Sequence, residues 1–314
     1  MKSAFAMAGL SAPVLVICGV LVAVWQPRPA AAQAEAQQRG FASPRAAADA
    51  LIHAAEVYDV KELKAILGPH SEDLVTSQDP VMDRSRAMAF VTKAHEKRSV
   101  ALDAKNPHRA ILSVGDEDWP LPIPIVQRNG RWYFDTKAGR DEILMRRIGA
   151  NELDAITICR GFVDAQKQYA QDSTDHQYAQ RIISTPGTRD GLYWENPDGT
   201  AGGPIAKTVA NAIAEGYSPG KSMPFHGYYF RVLKGQGPAA HLGQIDFVIN
   251  GAMIGGFALV AVPAQYRVTG VKTFMVSHEG TVYEKDLGPN SLQIVRNMDR
   301  YNPDKTWHKT NADW

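Results

Sequence analysis

The stretch best equipped for chemistry is Thr185–Trp194, which reads Thr-Pro-Gly-Thr-Arg-Asp-Gly-Leu-Tyr-Trp. Arg, Tyr and Trp are the residues that binding surfaces prefer as anchors, and long loops in compact domains are often functional. Arg189, Asp190, Tyr193 and Trp194 are therefore the candidate binding residues. A structural role competes with this one. Tyr193 and Trp194 would then plug the end of a core, with Arg189 and Asp190 as a turn pair.

Other groups promise less. Asp116, Glu117 and Asp118 offer three carboxylates, but consecutive residues of a strand point to opposite faces and cannot converge on one ion. A calcium loop alternates its ligands around a turn glycine, so a solvated acidic turn is the better reading. The chain holds 9 histidines, none at His-x-His, His-Glu-x-x-His or His-x-x-Glu-His spacing, so zinc has no sequence support. His226, beside Gly227 and the aromatic run Tyr228-Tyr229-Phe230, suits a general base; a strand-edge histidine donating to backbone is the plainer reading. Cys159 sits in an apolar helical pattern and reads as a small buried hydrophobe. There is no Gly-x-Ser-x-Gly elbow, and Gly235-x-Gly237 lacks the third glycine and following helix of a nucleotide site. No cofactor and no metal are expected.

The elements that must carry these residues fall into two groups. Ser43 caps a helix that begins at Pro44 and repeats apolar residues at Ala47, Leu51, Ile52 and Ala55. Asp59 caps a second helix that Gly68-Pro69 stops, and Asp79-Pro80 opens a third, to about Lys97. The period then changes to that of strands at 99–102, 109–114, 121–127 and 131–135. Asn129-Gly130 is a strong type I′ hairpin signal, because both central positions need positive φ. Helices followed by a meander make an α+β domain. After a charged connector, Asn151 caps a long helix carrying Leu153, Ile156, Cys159, Phe162, Val163 and Tyr169. A short Ala-rich helix is expected over about 204–215. Strands follow at 228–233, 245–249, 257–262, 273–276 and 282–285. The tail from Arg300 is polar except for Trp307 and Trp314 and is expected to be loose.

The N-terminus addresses the whole. Lys2 precedes an uncharged run from Ala4 to Trp25, and Pro27, Arg28 and Pro29 break it before Ala30-Ala31-Ala32 and Ala32-Gln33-Ala34. That order is a secretory signal, and it predicts an exported, periplasmic or extracellular protein. Gly9, Pro13 and Gly19 weaken a continuous helix, and the Ala-rich exit favours cleavage over a retained membrane anchor. Ile17 stands where a lipoprotein needs a small residue before Cys18. Cleavage removes Lys2 and Arg28 and turns a formal charge of +1 into a near balance of 32 basic against 33 acidic side chains. Such a balance carries no nucleic-acid footprint. Cys159 is then the sole cysteine, so no internal disulfide forms and stability must come from the core.

Three resemblances follow from these segments. Helices before a curved sheet resemble the cystatin-like cone of the ketosteroid-isomerase-like superfamily, on architecture alone. "NELDAITICRGFVDAQKQYA", "HGYYFRVL" and "GFALVAVPAQYRVTGVKTFMVSHEGTVYEKDLG" resemble the globular part of type IV pilins and pseudopilins, which implies a long helix across an antiparallel sheet. Here the stretch Arg140–Arg147 before that segment is charged rather than apolar, against assembly through a buried helix bundle. From Phe41 to about Pro303 the chain resembles the bacterial family called domain of unknown function 2950. "DWPLPIP" (118–124), "STPGTRDGLYW" (184–194), "HGYYFRVLKGQGPAA" (226–240) and "VYEKDLGP" (282–289) carry this likeness, which implies export and no particular activity.

The expected layout is a signal at 1–32, a linker at 33–40, a cone-like domain at 41–137, a connecting helix at 138–150, a pilin-like domain at 151–290 and a tail at 291–314. The expected function is a non-catalytic binding or assembly protein of the envelope, with an envelope protein as partner, no nucleic acid, and membrane contact only through a retained signal segment. The alternative is a small-molecule binder or enzyme that uses a cavity in the N-terminal cone.

Overall fold

The computed structural model describes residues 38–77, 80–205 and 224–310. The signal at 1–32, the cap at Asp79, Trp314 and most of the helix expected at 204–215 lie outside the described residues. The chain divides into two compact units, 1–119 with 125–136, and 120–124 with 137–314.

Among its described residues the first unit has four helices: α1 (Pro44–Glu56), α2 (Val60–Leu67), α3 (Glu72–Val75) and α4 (Pro80–Glu96). Their ends follow from local chemistry. The Ser43 hydroxyl accepts from the Ala46 amide at 3.1 Å and Pro44 fills the first turn. The Asp59 carboxylate accepts from the Glu62 amide at 2.9 Å, and Gly68, at φ +81°, ends α2 in a conformation that suits glycine. Five strands follow: β1 (Arg98–Asp103), β2 (Asn106–Val114), β3 (Trp119–Pro120), β4 (Ile125–Arg128) and β5 (Arg131–Phe134). The sheet runs β1-β2-β4-β5 with β3 on β2. Asn129 and Gly130 take φ +50° and +76° between β4 and β5, the two positive values a type I′ turn demands. Asp116, Glu117 and Asp118 are exposed in the turn after β2, and Asp118 pairs with Lys97 at 2.6 Å.

The α+β class holds, but the cystatin-like cone does not. Among the described residues no sheet is closed or strongly curled: the sheet of this unit is open, with β1 and β5 at its two edges. The reason is length. β4 and β5 have 4 residues each, and strands of that reach twist without wrapping a cavity. Ala110, Leu112 and Val114 alternate inward along β2 and are buried, as are Ala47, Leu51, Ile52, Ile66 and Phe134 of the same unit. The reading that placed a ligand cavity inside a cone loses its scaffold with this correction.

The second unit is built on α5 (Thr136–Asp172), one helix of 37 residues and about 55 Å long. Asn151 does not start it. The helix runs through, and the Asn151 side-chain Nδ2 donates to the Thr269 carbonyl at 2.8 Å, a tertiary partner that removes the need for a local cap. Three short strands come next: β6 (Arg181–Ile183), β7 (Gly191–Glu195) and β8 (Ala201–Gly202). Then come β9 (Tyr228–Leu233), the two-residue strands β10 (Gly235–Gln236), β11 (Ile245–Asp246), β12 (Val248–Ile249) and β13 (Ala252–Met253), and the longer β14 (Ala258–Pro263), β15 (Thr273–Ser277) and β16 (Val282–Lys285). α6 (Ser291–Arg296) and β17 (His308–Lys309) are the last elements among the described residues. The main sheet runs β17-β16-β15-β14-β9, antiparallel throughout.

Every residue of β14 and β15 is buried. Successive strand residues face opposite ways, so both faces of this sheet are covered. α5 contributes Ala155, Cys159, Phe162 and Val163 to the core, and the C-terminal segment contributes Val295, Tyr301 and Trp307. The tail expected to be loose is thus held as far as 310, by two buried aromatics and the β16–β17 ladder. Gln166 is fully buried on α5, and its side-chain amide both donates to and accepts from the Ala179 backbone at 2.8 Å. That pair ties the end of α5 to the chain entering β6. Among the described residues no helix is long and apolar enough to cross a membrane.

Candidate functional site

The four residues singled out in the sequence lie on and after the loop 184–190. This loop joins two parallel strands, Arg181 opposite Gly191 and Ile183 opposite Tyr193. Parallel neighbours usually need a crossover of about a dozen residues. Here β6 has 3 residues, so the chain must travel back only about 10 Å. The loop does so by wrapping around one carboxylate. Asp190 accepts from the Thr185 amide at 2.7 Å, the Thr185 hydroxyl at 2.9 Å and the Thr188 hydroxyl at 2.8 Å, and pairs with Arg181 at 3.2 Å. Gly187, at φ +81°, makes the turn.

Burial by itself raises the Asp190 pKa, but the Thr185 amide, the two threonine hydroxyls and Arg181 outweigh it and hold the carboxyl below the ordinary value of 3.8. A depressed folded pKa contributes stability that is complete above the unfolded value and is lost as pH falls through the folded one. Asp190→Asn should therefore destabilise the protein by a constant amount above about pH 5 and by progressively less in stronger acid. Thermal melts of both proteins across that range check this; a penalty that persists undiminished into acid would refute it.

The structure separates Tyr193 from Trp194. They are adjacent on β7 and must face opposite ways. Tyr193 is 4 % exposed and belongs to the core of the second unit. Trp194 is half-buried on the other face, across the ladder from Gly202. Gly202 and Gly203 are needed there, because a Cβ on either would collide with the indole or the strand beneath it. The indole N–H donates to the Asn196 side chain at 3.1 Å. The Arg189 guanidinium lies 5.3 Å from the Trp194 ring centroid. The Tyr169 ring stands at 74° to the indole with centroids 6.4 Å apart, and its hydroxyl donates to the Arg189 carbonyl. Burial, then the charge of Asp190, push the Tyr169 phenol above its ordinary value, so it stays a donor.

Around these groups opens a cleft of about 470 Å³ whose lining includes Gln168, Tyr169, Asp172, Ser173, Thr174, Arg189 and Trp194. That size is typical of small-molecule sites. Among the described residues, neither the Arg189 guanidinium nor the Asp172 carboxylate has a hydrogen bond or ion pair. Arg189 and Trp194 thus meet at one site, Asp190 shapes the loop that carries Arg189, and Tyr193 anchors it from the core. Sequence reasoning missed Tyr169 and Asp172. Their spacing of three at the end of a helix puts both on one face, but Tyr169 was absorbed into the apolar stripe.

The other candidates stay apart from the cleft. His226 pairs through Nδ1 with Asp154 Oδ2 at 2.6 Å, half-exposed and at φ +46°. Its partner is a carboxylate on α5, not a backbone group. Cys159 is fully buried and its thiol is pushed up to about 12 by desolvation, so it does not ionise near neutral pH. Among the described residues no cluster of three or more His, Cys, Asp or Glu could hold a metal.

Fold and site define an α+β protein with an open aromatic and polar cleft at the end of a long helix. The chain belongs to the family described as Protein of unknown function (DUF2950), whose model matches residues 38–310. No curated protein and no solved structure matches it.

Proposed function

We propose that this is an exported, non-catalytic binding protein that takes a ligand into the Tyr169–Arg189–Trp194 cleft. The observation that carries the proposal is an exposed guanidinium without a charge partner beside a half-buried indole in a cleft of ligand size. Arg189 is pre-positioned, because Tyr169 holds its carbonyl and the Asp190 knot holds its loop. Its binding groups therefore lose little freedom on capture. The leader at 1–32 supports export. The resemblance of the sequence segments from Asn151 onward to pilin globular parts is in keeping with a scaffold that works through contacts.

Native mass spectrometry of the purified protein, after incubation with a small-molecule extract of the producing cell's envelope, tests this. The wild type should carry a discrete added mass that Arg189→Ala loses while keeping its thermal midpoint. No added mass, or the same mass on the variant, would remove the cleft from consideration.

A further inference from the structure

We infer that the ligand of this cleft is a saccharide, recognised by the ring face on Trp194 and Tyr169 and by its hydroxyls on Asp172, Gln168 and Arg189. The inference rests on the binding reading above and names its ligand class. Its first support is the shape of the apolar part. Trp194 and Tyr169 pack nearly perpendicular, edge to face, with the Arg189 guanidinium over the indole, so the aromatic surface they give the cleft is a corner edged by a cation and not a closed apolar sleeve. A pyranose ring has an apolar C–H face and a polar rim. Such a body fits a corner of this kind, with the face on an aromatic wall and the rim toward solvent and polar side chains.

The second support is the mixture of donors and acceptors. Arg189 only donates, Asp172 only accepts, and Gln168, Ser173 and Thr174 do both. A sugar hydroxyl also donates and accepts at once, so a run of hydroxyls can satisfy such a set without leaving a member unpaired.

The third support is charge. The lining holds one guanidinium and one carboxylate, and α5 ends at Asp172, where the helix presents the negative pole of its dipole. A phosphate or a polyanion is therefore opposed, since it needs several cations or a helix N-terminus. An acyl chain is opposed by the polar lining, since it gains only where apolar surface closes around it. A neutral or singly charged polyol remains.

The test is isothermal titration of the full chain with chitotetraose, cellotetraose and maltotetraose. The expected result is saturable binding of at least one of the three. Asp172→Ala and Arg189→Ala should each weaken it roughly tenfold or more. Both side chains are exposed, so the thermal midpoint should not move. Trp194→Phe, which keeps an aromatic wall, should retain part of the affinity. No saturable heat with any of the three at millimolar concentration, or equal affinity in Asp172→Ala and wild type, overturns the saccharide assignment. If the tetrasaccharides fail while the envelope extract still loads the wild type and not Arg189→Ala, the ligand class falls and the binding function stands. If both fail, both fall.

Discussion

Phe257→Ala is expected to lower folding stability by about 3–5 kcal/mol, the range for removing a large aromatic side chain from a tight core. Phe257 is fully buried just before β14. Its ring meets Phe162 of α5 edge-on, with centroids 5.7 Å apart at 80°, and Tyr178 at 4.8 Å and 68°. It therefore joins three parts of the second unit: the long helix, the segment leading into β6 and the main sheet. Edge-to-face pairs add to what area alone contributes. No neighbour can collapse into the space without giving up its own contacts. Urea unfolding measures the effect as a lower midpoint with an unchanged slope. A loss below about 1 kcal/mol would show that the core relaxes around the cavity and that Phe257 is no keystone.

Gly191→Ala is expected to cost about 1–3 kcal/mol and, beyond that, to disable the cleft. The reason is steric and not torsional. A Cβ at position 191 would lie 2.5 Å from the Ser184 amide nitrogen and 2.6 Å from the Ile183 carbonyl carbon. Both are backbone atoms of the neighbouring strand and its exit, so no side chain can swing aside. β6 and β7 must separate, which breaks the hydrogen bond from the Gly191 amide to the Ser184 hydroxyl, now 2.9 Å. It also strains the Asp190 knot next to it. Tyr193 and Trp194 lie two and three residues on, so the displacement passes directly to the aromatic wall. Circular dichroism should show the fold retained, while the ligand that loads the wild type from envelope extract no longer loads the variant. Unaltered loading with a normal melting profile would mean that the β6–β7 spacing does not position the cleft.

How legible these features were in the sequence depended on the range of the interaction. Ser43-Pro44, Asp59 and Gly68 announce helix ends because a cap is made with residues three or four positions away. Asn129-Gly130 announces a hairpin because its demand on φ is local. The exposed acidic turn at 116–118 and the buried thiol at Cys159 follow from composition around them. The break expected at Asn151 failed for the converse reason. A residue that caps when alone can sit inside a helix once Thr269, 118 positions away, takes its amide. The cone failed because the curl of a sheet depends on strand length and on what covers it, and the order of elements contains neither. The tail was misjudged because Tyr301 and Trp307 find their burial on distant strands.

The candidate site divides along the same line. A ten-residue stretch with two Gly, two Thr, two aromatics and one Arg marks the place where binding groups collect, and that much was written in the chain. Tertiary structure alone decided which of them serve a ligand. Strand alternation turned Tyr193 into the core and Trp194 outward, and a parallel β6–β7 pair made Asp190 the knot of the loop. The end of α5 brought Tyr169 and Asp172, about twenty residues upstream, to the other side of the cleft. Local chemistry sets caps, turns and residue types, because those energies act between near neighbours. A cleft exists only where distant elements stop short of each other, and that depends on how the whole core packs.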